Sequence, residues 1–418
     1  MSGRRTYYGW TNLAVAALAM VATLPGRTQG LGLVTEPLIA DLGIDRVTYA
    51  GVNFWATLIG AAFCIPCGRL LDRFGSRAVL AAVLFALGAT VLFMSAGTGL
   101  VALAVAVTLT RGFGQSALSV ASLALVGKWF ARRLNFAMGI YSVLVGVGFI
   151  AAFPSVGRAV LAYGWRPAWF AIGVAQAAIL APIVWLLVRD HPEGQGLAID
   201  GDQGTSEPGL ADLTLWNALA SPAFWVFALS SSLFGLVYSG ISLFNQSILE
   251  ERGFDAATFH QVLVISTFVG LAANFGGGFL ASRWSIQRVM AIGMAVLAAA
   301  LVGLPAVETR AHVVLYGVAM GASGGVVTVV FFSVWGRAFG RRHLGRIQGC
   351  AQMLTVLASA LGPLLLAQTL ARTGSYASIF YSLAAAVAIL GVGCWYVALP
   401  SREPALHPRP LAAGESGA

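Results

Sequence analysis

Two arginines are the residues best placed to do chemistry in this chain of 418 residues. Arg27 stands in Leu24-Pro25-Gly26-Arg27-Thr28-Gln29-Gly30 and Arg111 in Leu109-Thr110-Arg111-Gly112-Phe113-Gly114-Gln115, each near the middle of a long apolar run. Placing a charge at such a depth in a membrane costs roughly 2.5–3.5 kcal/mol, so each is a functional candidate by default. No Asp or Glu lies deep in any apolar run, and Glu36, towards the far end of the first, comes nearest. Two cations without acidic partners favour an anionic ligand, and a guanidinium matches a carboxylate through two parallel hydrogen bonds. Pro25 and its neighbouring glycines loosen the helix around Arg27, and freed backbone groups there can line a polar cavity. Arg111 has a second possible use, hydrogen-bonding to neighbouring helix backbones to set their packing.

The apolar runs in the second half of the chain carry no Lys, Arg, Asp or Glu, so any polar contact from them is neutral. Tyr238, Ser242 and Asn245 share one helix face by their spacing, as do Gln348, Gln352, Thr355 and Ser359, and in the first half Tyr49, Asn53 and Thr57. Tyr238, Asn245 and Gln352 are the candidate ligands among them, with Trp55 and Phe234 able to shape a pocket. Polar stripes of this kind also serve as glue between membrane helices. Enzyme chemistry finds no foothold. His191, His312, His343 and His407 fall in loops or at the ends of runs, His260 at the start of one, and none pairs with an acid or nucleophile at a recognisable spacing. Cys64 and Cys67 form a CxxC without a second pair, and Cys350 and Cys394 stand alone inside apolar runs. Neither a zinc site nor a disulfide framework follows, and no metal or cofactor is expected.

The elements that must position these residues are membrane helices. Hydrophobic residues make up 58% of the chain and charged ones 10%, against about 25% charged in a soluble domain. Apolar segments of spanning length cover 13–39, 47–67, 78–97, 99–127, 136–161 and 167–188, then 221–249, 257–281, 289–307, 312–335, 347–371 and 376–399. Each crossing needs roughly 20 residues. The expected organisation is an all-α membrane protein of twelve helices: a six-helix bundle over 1–188, a polar cytoplasmic linker over 189–220, a second bundle over 221–399, and a disordered tail over 400–418. The basic N-terminus precedes a run too long for a signal-peptide core, so it reads as a retained first helix. With the N-terminus inside, seventeen Arg and Lys residues fall on the inner side and six on the outer, which sets both termini in the cytoplasm. The net charge of +9 is spread through these short clusters and forms no basic-aromatic patch, so nucleic acid is not an expected partner.

The two halves repeat. Gly68-Arg-Leu-Leu-Asp-Arg-Phe-Gly75 returns as Gly278-Phe-Leu-Ala-Ser-Arg-Trp-Ser285 at an offset of 210, Phe130-x-Arg132-Arg133 as Phe339-x-Arg341-Arg342 at 209, and Gly164 and Phe170 as Gly374 and Phe380 at 210. Parallel repeats of this kind hold substrate between them near the bilayer midplane. Gly68, Asp72, Arg73, Gly75 and Arg77 sit at the inner link between helices two and three, where carboxylate–arginine pairs at helix ends can latch one conformation and release it in another. Ser282 in place of Asp72 predicts a weaker latch in the second copy.

Gly68–Arg77 resembles the loop signature G-x-L-x-D-R-x-G-x-[RK] of the major facilitator superfamily at every defining position. Leu109–Gln115 is similar in part to the superfamily's helix-four arginine motif. Gly127-Lys-Trp-Phe-Ala-Arg-Arg-Leu-Asn-Phe-Ala-Met-Gly139 resembles the helix 4–5 link of its monocarboxylate transporter and oxalate–formate exchanger branches. The glycine-rich exchanger pattern starts at Gly139 and Gly148 but lapses at Ala152-Phe153, so exchange is not assigned. The resemblance implies a substrate role for Arg27, since a helix-one cation near this position serves the site in the monocarboxylate branch. The basic residue that the branch carries in helix eight or eleven is missing here, which speaks against a dicarboxylate.

The resulting expectation is a secondary active transporter that moves a small organic anion, a monocarboxylate, by alternating access. Arg27, Arg111, Tyr238, Asn245 and Gln352 are expected at the substrate. A proton could travel with the substrate acid. The chain is expected as a monomer in the lipid bilayer of a bacterial inner membrane. A carrier for a neutral solute such as a sugar or nucleoside, or for nitrate, is the alternative, with the arginines structural. A non-transporting receptor is disfavoured by short loops and the lack of a signalling domain.

Overall fold

Apolar segments this long become helices because lipid offers the backbone no other hydrogen-bond partner. The computed structural model describes residues 7–201 and 212–400, so the tail expected from residue 400 lies outside the described residues except for Pro400. Ten helices are long and apolar enough to cross a membrane. One of them, Thr48–Ala96, turns at Gly75, whose φ of +83° favours glycine, and makes two crossings. The first apolar run adds another in pieces: Gly9–Val21, Leu24–Gly26, Thr28–Gly32 and Thr35–Leu42. The multi-pass chain thus has twelve helices in two halves. We label them α1 (9–42, in pieces), α2 (46–74), α3 (76–96), α4 (Leu100–Trp129), α5 (Leu134–Tyr163), α6 (Trp165–Leu187), α7 (Pro222–Glu250), α8 (Ala256–Arg283), α9 (Ile286–Gly303), α10 (Arg310–Phe339), α11 (Leu344–Thr373) and α12 (Ala377–Tyr396).

The duplication reaches into the turns. Asp45 accepts from the Thr48 amide at 2.9 Å to cap α2, and Asp255 accepts from the Thr258 amide at 2.9 Å to cap α8. Each follows a glycine in the left-handed region, Gly43 or Gly253. Such caps contribute about 1 kcal/mol each, and they set where the second helix of each half begins.

The halves meet along two seams at one end of the bundle. In the seam of α2 and α11, Gly68 lies so close to Gly345 that a Cβ on it would come within 2.4 Å of the Gly345 carbonyl oxygen. One turn on, Asp72 accepts from the Gly345 and Arg346 amides at 3.1 and 3.2 Å, and Arg346 Nε stands 3.5 Å from the same carboxylate. The seam of α5 and α8 packs Gly139 on Gly278, and Asn135 Nδ2 donates to the Ala281 carbonyl oxygen. Ala281 accepts a second bond, from Arg337 of α10 at 2.7 Å. The second-copy latch therefore keeps the direction of the bond, α5 donating to α8 as α11 donates to α2, but takes its side chain from the other helix: Ser282 bonds its own helix at Phe279, and Asn135 of α5 supplies the cross-seam donor.

The connection between α6 and α7 runs over this same end and is docked to both halves. Asp190 accepts from the Arg77 amide at 2.8 Å. Asp200 accepts from the amides of Ala131 and Arg132, and Asp212 from those of Arg341 and Arg342, the positions 210 further on. Glu193 pairs with Arg341 at 3.0 Å. A short helix, Leu215–Ala220, then leads into α7.

Candidate functional site

The site is built on the interruption of α1. Pro25 has no N–H to continue the ladder, the chain tightens to a 3₁₀ turn over Leu24–Gly26, and Arg27 is extended (φ −91°, ψ 153°) before the helix restarts at Thr28. Gly26 is required by close approach: a Cβ there would lie 2.2 Å from the Thr110 carbonyl oxygen of α4. The break is seated against a π-helical stretch of α4, Arg111–Leu118.

From its extended backbone Arg27 folds back along α1. Its Nε donates to Thr23 Oγ1 at 2.6 Å, and its Nη2 to Met20 Sδ at 3.0 Å and to Ser119 Oγ of α4 at 3.5 Å. The guanidinium lies over the Phe149 ring of α5, 5.1 Å from the centroid, and Phe149 is stacked on Phe153. The residue is half-buried, and among the described residues Nη1 donates to nothing. Tyr141 of α5 and Ser122 of α4 share a hydrogen bond of 2.6 Å, and Tyr141 meets Phe332 of α10 edge to face across the two halves.

Arg111 is placed differently. It is 4% exposed, and both its terminal nitrogens are engaged: Nη1 donates to Gly26 O at 3.2 Å, Thr28 Oγ1 at 3.0 Å and Gln115 Oε1 at 2.9 Å, and Nη2 to Asn53 Oδ1 at 3.2 Å, while the buried Nε has no partner. Every acceptor is neutral, and the arrangement ties α1, α2 and α4 together. Of the stripe on α2, Asn53 serves this network and also donates to the Tyr49 carbonyl oxygen, while Thr57 bonds back to Asn53 O.

In the second half, Phe234 packs near Gly324 and Asn245 accepts from Tyr316 at 3.2 Å, so this face of α7 looks at α10. Tyr238 lies between them on that face, 43% exposed and stacked on Phe234 with ring centroids 5.5 Å apart. Gln352 is half-buried on α11, one turn beyond the buried Gln348, whose Nε2 has no partner. Trp55 is 63% exposed and leans on Phe54 rather than on the arginines. The structure thus gathers Arg27 and Arg111 on either side of the α1 break and sets Tyr238 and Asn245 on α7, with Gly68, Asp72, Gly75 and Arg77 at the sealed end. Arg73 points over the Phe74 ring, and Arg77 over Trp185.

Several polar residues at these places escape sequence reasoning. Gln176 of α6 donates to the Ala22 carbonyl oxygen of α1 at 2.8 Å, and Lys128 of α4, 3% exposed, donates to Leu71 O at 3.1 Å beside the Asp72 latch. Asn135, Asp190, Asp200 and Asp212 likewise bind backbone groups. For Gln176 and Lys128 the available signal was their isolation in apolar runs; for the others there was none.

The sequence profile of the Major Facilitator Superfamily matches residues 6–305 and 227–416. The chain is 27% identical over 417 residues to monocarboxylate transporter 11 of Mus musculus, covering 95% of this chain and 88% of that one. It is 26% identical over 413 residues to the hexuronate transporter of Escherichia coli K12, covering 90% of each. Among solved structures it resembles FucP, a transporter of the superfamily crystallised in the outward conformation, with a TM-score of 0.70 at 13% identity over 94% of this chain and 100% of that one.

Proposed function

The chain belongs to the Major Facilitator Superfamily, a transporter and not an enzyme, and from that premise we propose that it carries a small organic anion, a monocarboxylate, by alternating access. The observation that carries this reading is the contrast between the two arginines. Arg111 has both terminal nitrogens engaged by neutral protein acceptors and keeps only its buried Nε without a partner, whereas Arg27 is half-buried with the terminal Nη1 free, in a wall that holds no carboxylate among its partners. One available guanidinium suits one carboxylate. The stacked Phe149 and Phe153 beside it favour an apolar body over a polyhydroxylated one. The names of the relatives agree on the carboxylate, since a hexuronate also carries one. Tyr238 supplies the neutral contact from the second half, with Asn245 orienting Tyr316 behind it and Gln352 entering from α11.

On the orientation expected from the Arg and Lys distribution, the sealed end is cytoplasmic and the arrangement opens outward. Gly68, Asp72, Arg73, Gly75 and Arg77 form its inner gate. A carboxylate bound to the Arg27 guanidinium is ionised, and among the described residues no side-chain carboxylate is a partner of Arg27 to bind a coupling proton.

The test is ligand-dependent thermal stabilisation of the purified protein with lactate, benzoate, galacturonate, glucose and nitrate, followed by uptake into liposomes, for the parent and Arg27→Gln. A ligand at a hundred times its dissociation constant adds about 2.7 kcal/mol of stability. Carboxylates are expected to stabilise and enter with the parent alone. Equal responses from the variant, or stabilisation by glucose, would refute the assignment.

A further inference from the structure

The break in α1 exposes more than a side chain. Gly26 N donates to Thr23 O at 2.9 Å in the 3₁₀ turn, and Pro25 has no N–H, so the Ala22 carbonyl oxygen loses its backbone donors. The extended Arg27 likewise turns the Gly26 carbonyl out of the ladder. Each orphan is met by a side chain from another helix: Gly26 O by Arg111 of α4 at 3.2 Å, and Ala22 O by Gln176 of α6 at 2.8 Å. Both donors belong to π-helical stretches, Arg111–Leu118 and Ala175–Leu180. Such turns are rare and recur at functional sites.

Gln176 is 4% exposed and its Oε1 has no partner. A buried, unpaired acceptor is costly, and a side chain kept for packing alone would not carry one. The amide orientation is forced, because only Nε2 can serve a carbonyl oxygen. The two carbonyls bracket Thr23, the anchor of Arg27, and the second belongs to the peptide bond that leads into Arg27. We propose that Gln176 is a positioning residue for the substrate site: together with Arg111 it pins both edges of the α1 break and fixes the direction in which the Arg27 guanidinium presents its free nitrogen. This rests on the reading of Arg27 as the partner of the substrate carboxylate.

The experiment measures dissociation constants for lactate and benzoate on the full-length protein carrying Arg27→Gln, Gln176→Leu, Gln176→Asn, Gln176→His and the double change Arg27→Gln/Gln176→Leu. Gln176→Leu is expected to weaken binding about tenfold, as the loss of one buried hydrogen-bond donor does. Gln176→His, which keeps an N–H donor, recovers most of that loss. The double variant binds no more weakly than Arg27→Gln, because a positioning residue has nothing left to position. Losses that add in the double variant, or parent-like affinity in Gln176→Leu while Arg27→Gln is impaired, overturn the proposal. Should Gln176→Leu fail to fold, Gln176→Asn, too short to reach Ala22 O, carries the same comparison. Failure of both to fold also overturns it, since Gln176 is then a folding residue. Parent-like affinity in Arg27→Gln sinks the underlying assignment of Arg27, and with it the role given to Gln176.

Discussion

Removing Asp72 should open the sealed end far more than removing Asn135, although each is a polar side chain bridging a seam between the halves. The Asp72 carboxylate accepts two amides at the first turn of α11 and is almost fully buried, with the half-exposed Arg346 beside it. Charge-assisted bonds are roughly twice as strong as neutral ones, and the carboxylate also faces the positive end of a helix dipole. The contact to Arg346 adds little, being screened. Asp72→Ala therefore costs the closed arrangement about 2–3 kcal/mol, or a 30- to 150-fold shift toward opening. Asn135 donates one neutral bond, and its partner Ala281 O keeps Arg337 when it is lost. No carbonyl is orphaned, so Asn135→Leu costs about 1 kcal/mol, near fivefold. Spin labels at the exposed Arg69 and Arg283, on opposite halves at the sealed end, would report the open fraction as a lengthened distance in a background free of native cysteines. Equal opening by the two variants, or none by Asp72→Ala, would refute the argument that amide capping by a buried carboxylate holds this end shut.

Gly26→Ala places a Cβ 2.2 Å from the Thr110 carbonyl oxygen, with further backbone of α4 within 3.0 Å. Neither side can yield cheaply, so thermal unfolding should show a loss of about 1–3 kcal/mol or more, together with weakened carboxylate binding; Gly32→Ala, with nothing within 4 Å, should be neutral in both. Asp200, 5% exposed and held at φ 60°, caps the loop before α5 through two amides. Asp200→Asn should release the connection by about 2 kcal/mol, seen as faster hydrogen exchange and limited proteolysis between α6 and α7, with substrate affinity unchanged.

Contacts that a motif or a spacing encodes were legible. Asp72 could be read because its loop returns at a fixed offset, and the helix pattern because lipid leaves the backbone no alternative. Arg27 stood out as a charge beside a proline. Arg111 admits two uses by sequence, ligand or helix packing, and the seating of Gly26 on α4 brings the Gly26 carbonyl within its reach. Asn245, read as a ligand from its stripe, accepts a hydrogen bond from Tyr316 that no spacing announces. Gln176, Asn135 and Asp200 bind backbone atoms of other segments, and a main-chain partner leaves no residue type behind to be recognised. The second latch is of this kind: Ser282 bonds its own helix, and the side chain that crosses the seam is Asn135 on the opposite helix, donating to the Ala281 carbonyl oxygen.

These placements make the two halves unequal, and the inequality has a mechanical consequence for the proposed carrier. Arg27, with Arg111 and Gln176 at the edges of the α1 break, and the seam carboxylate Asp72 all belong to the first half. The second half offers neutral groups, Tyr238 and Tyr316, and meets Asp72 with the backbone start of α11. A carboxylate held by Arg27 would stay with the first half while the second rocks over it. Charge then never has to be passed between partners in a low-dielectric cavity, where an unpaired ion is most costly. Neutral contacts, amide caps and the screened Arg346–Asp72 pair are what must break in each cycle, and at about 1 kcal/mol for the weaker seam and a few for the stronger these lie within the differential binding that drives a population shift. A cation facing the substrate from the second half would undo this arrangement by giving the anion two equivalent anchors on moving parts.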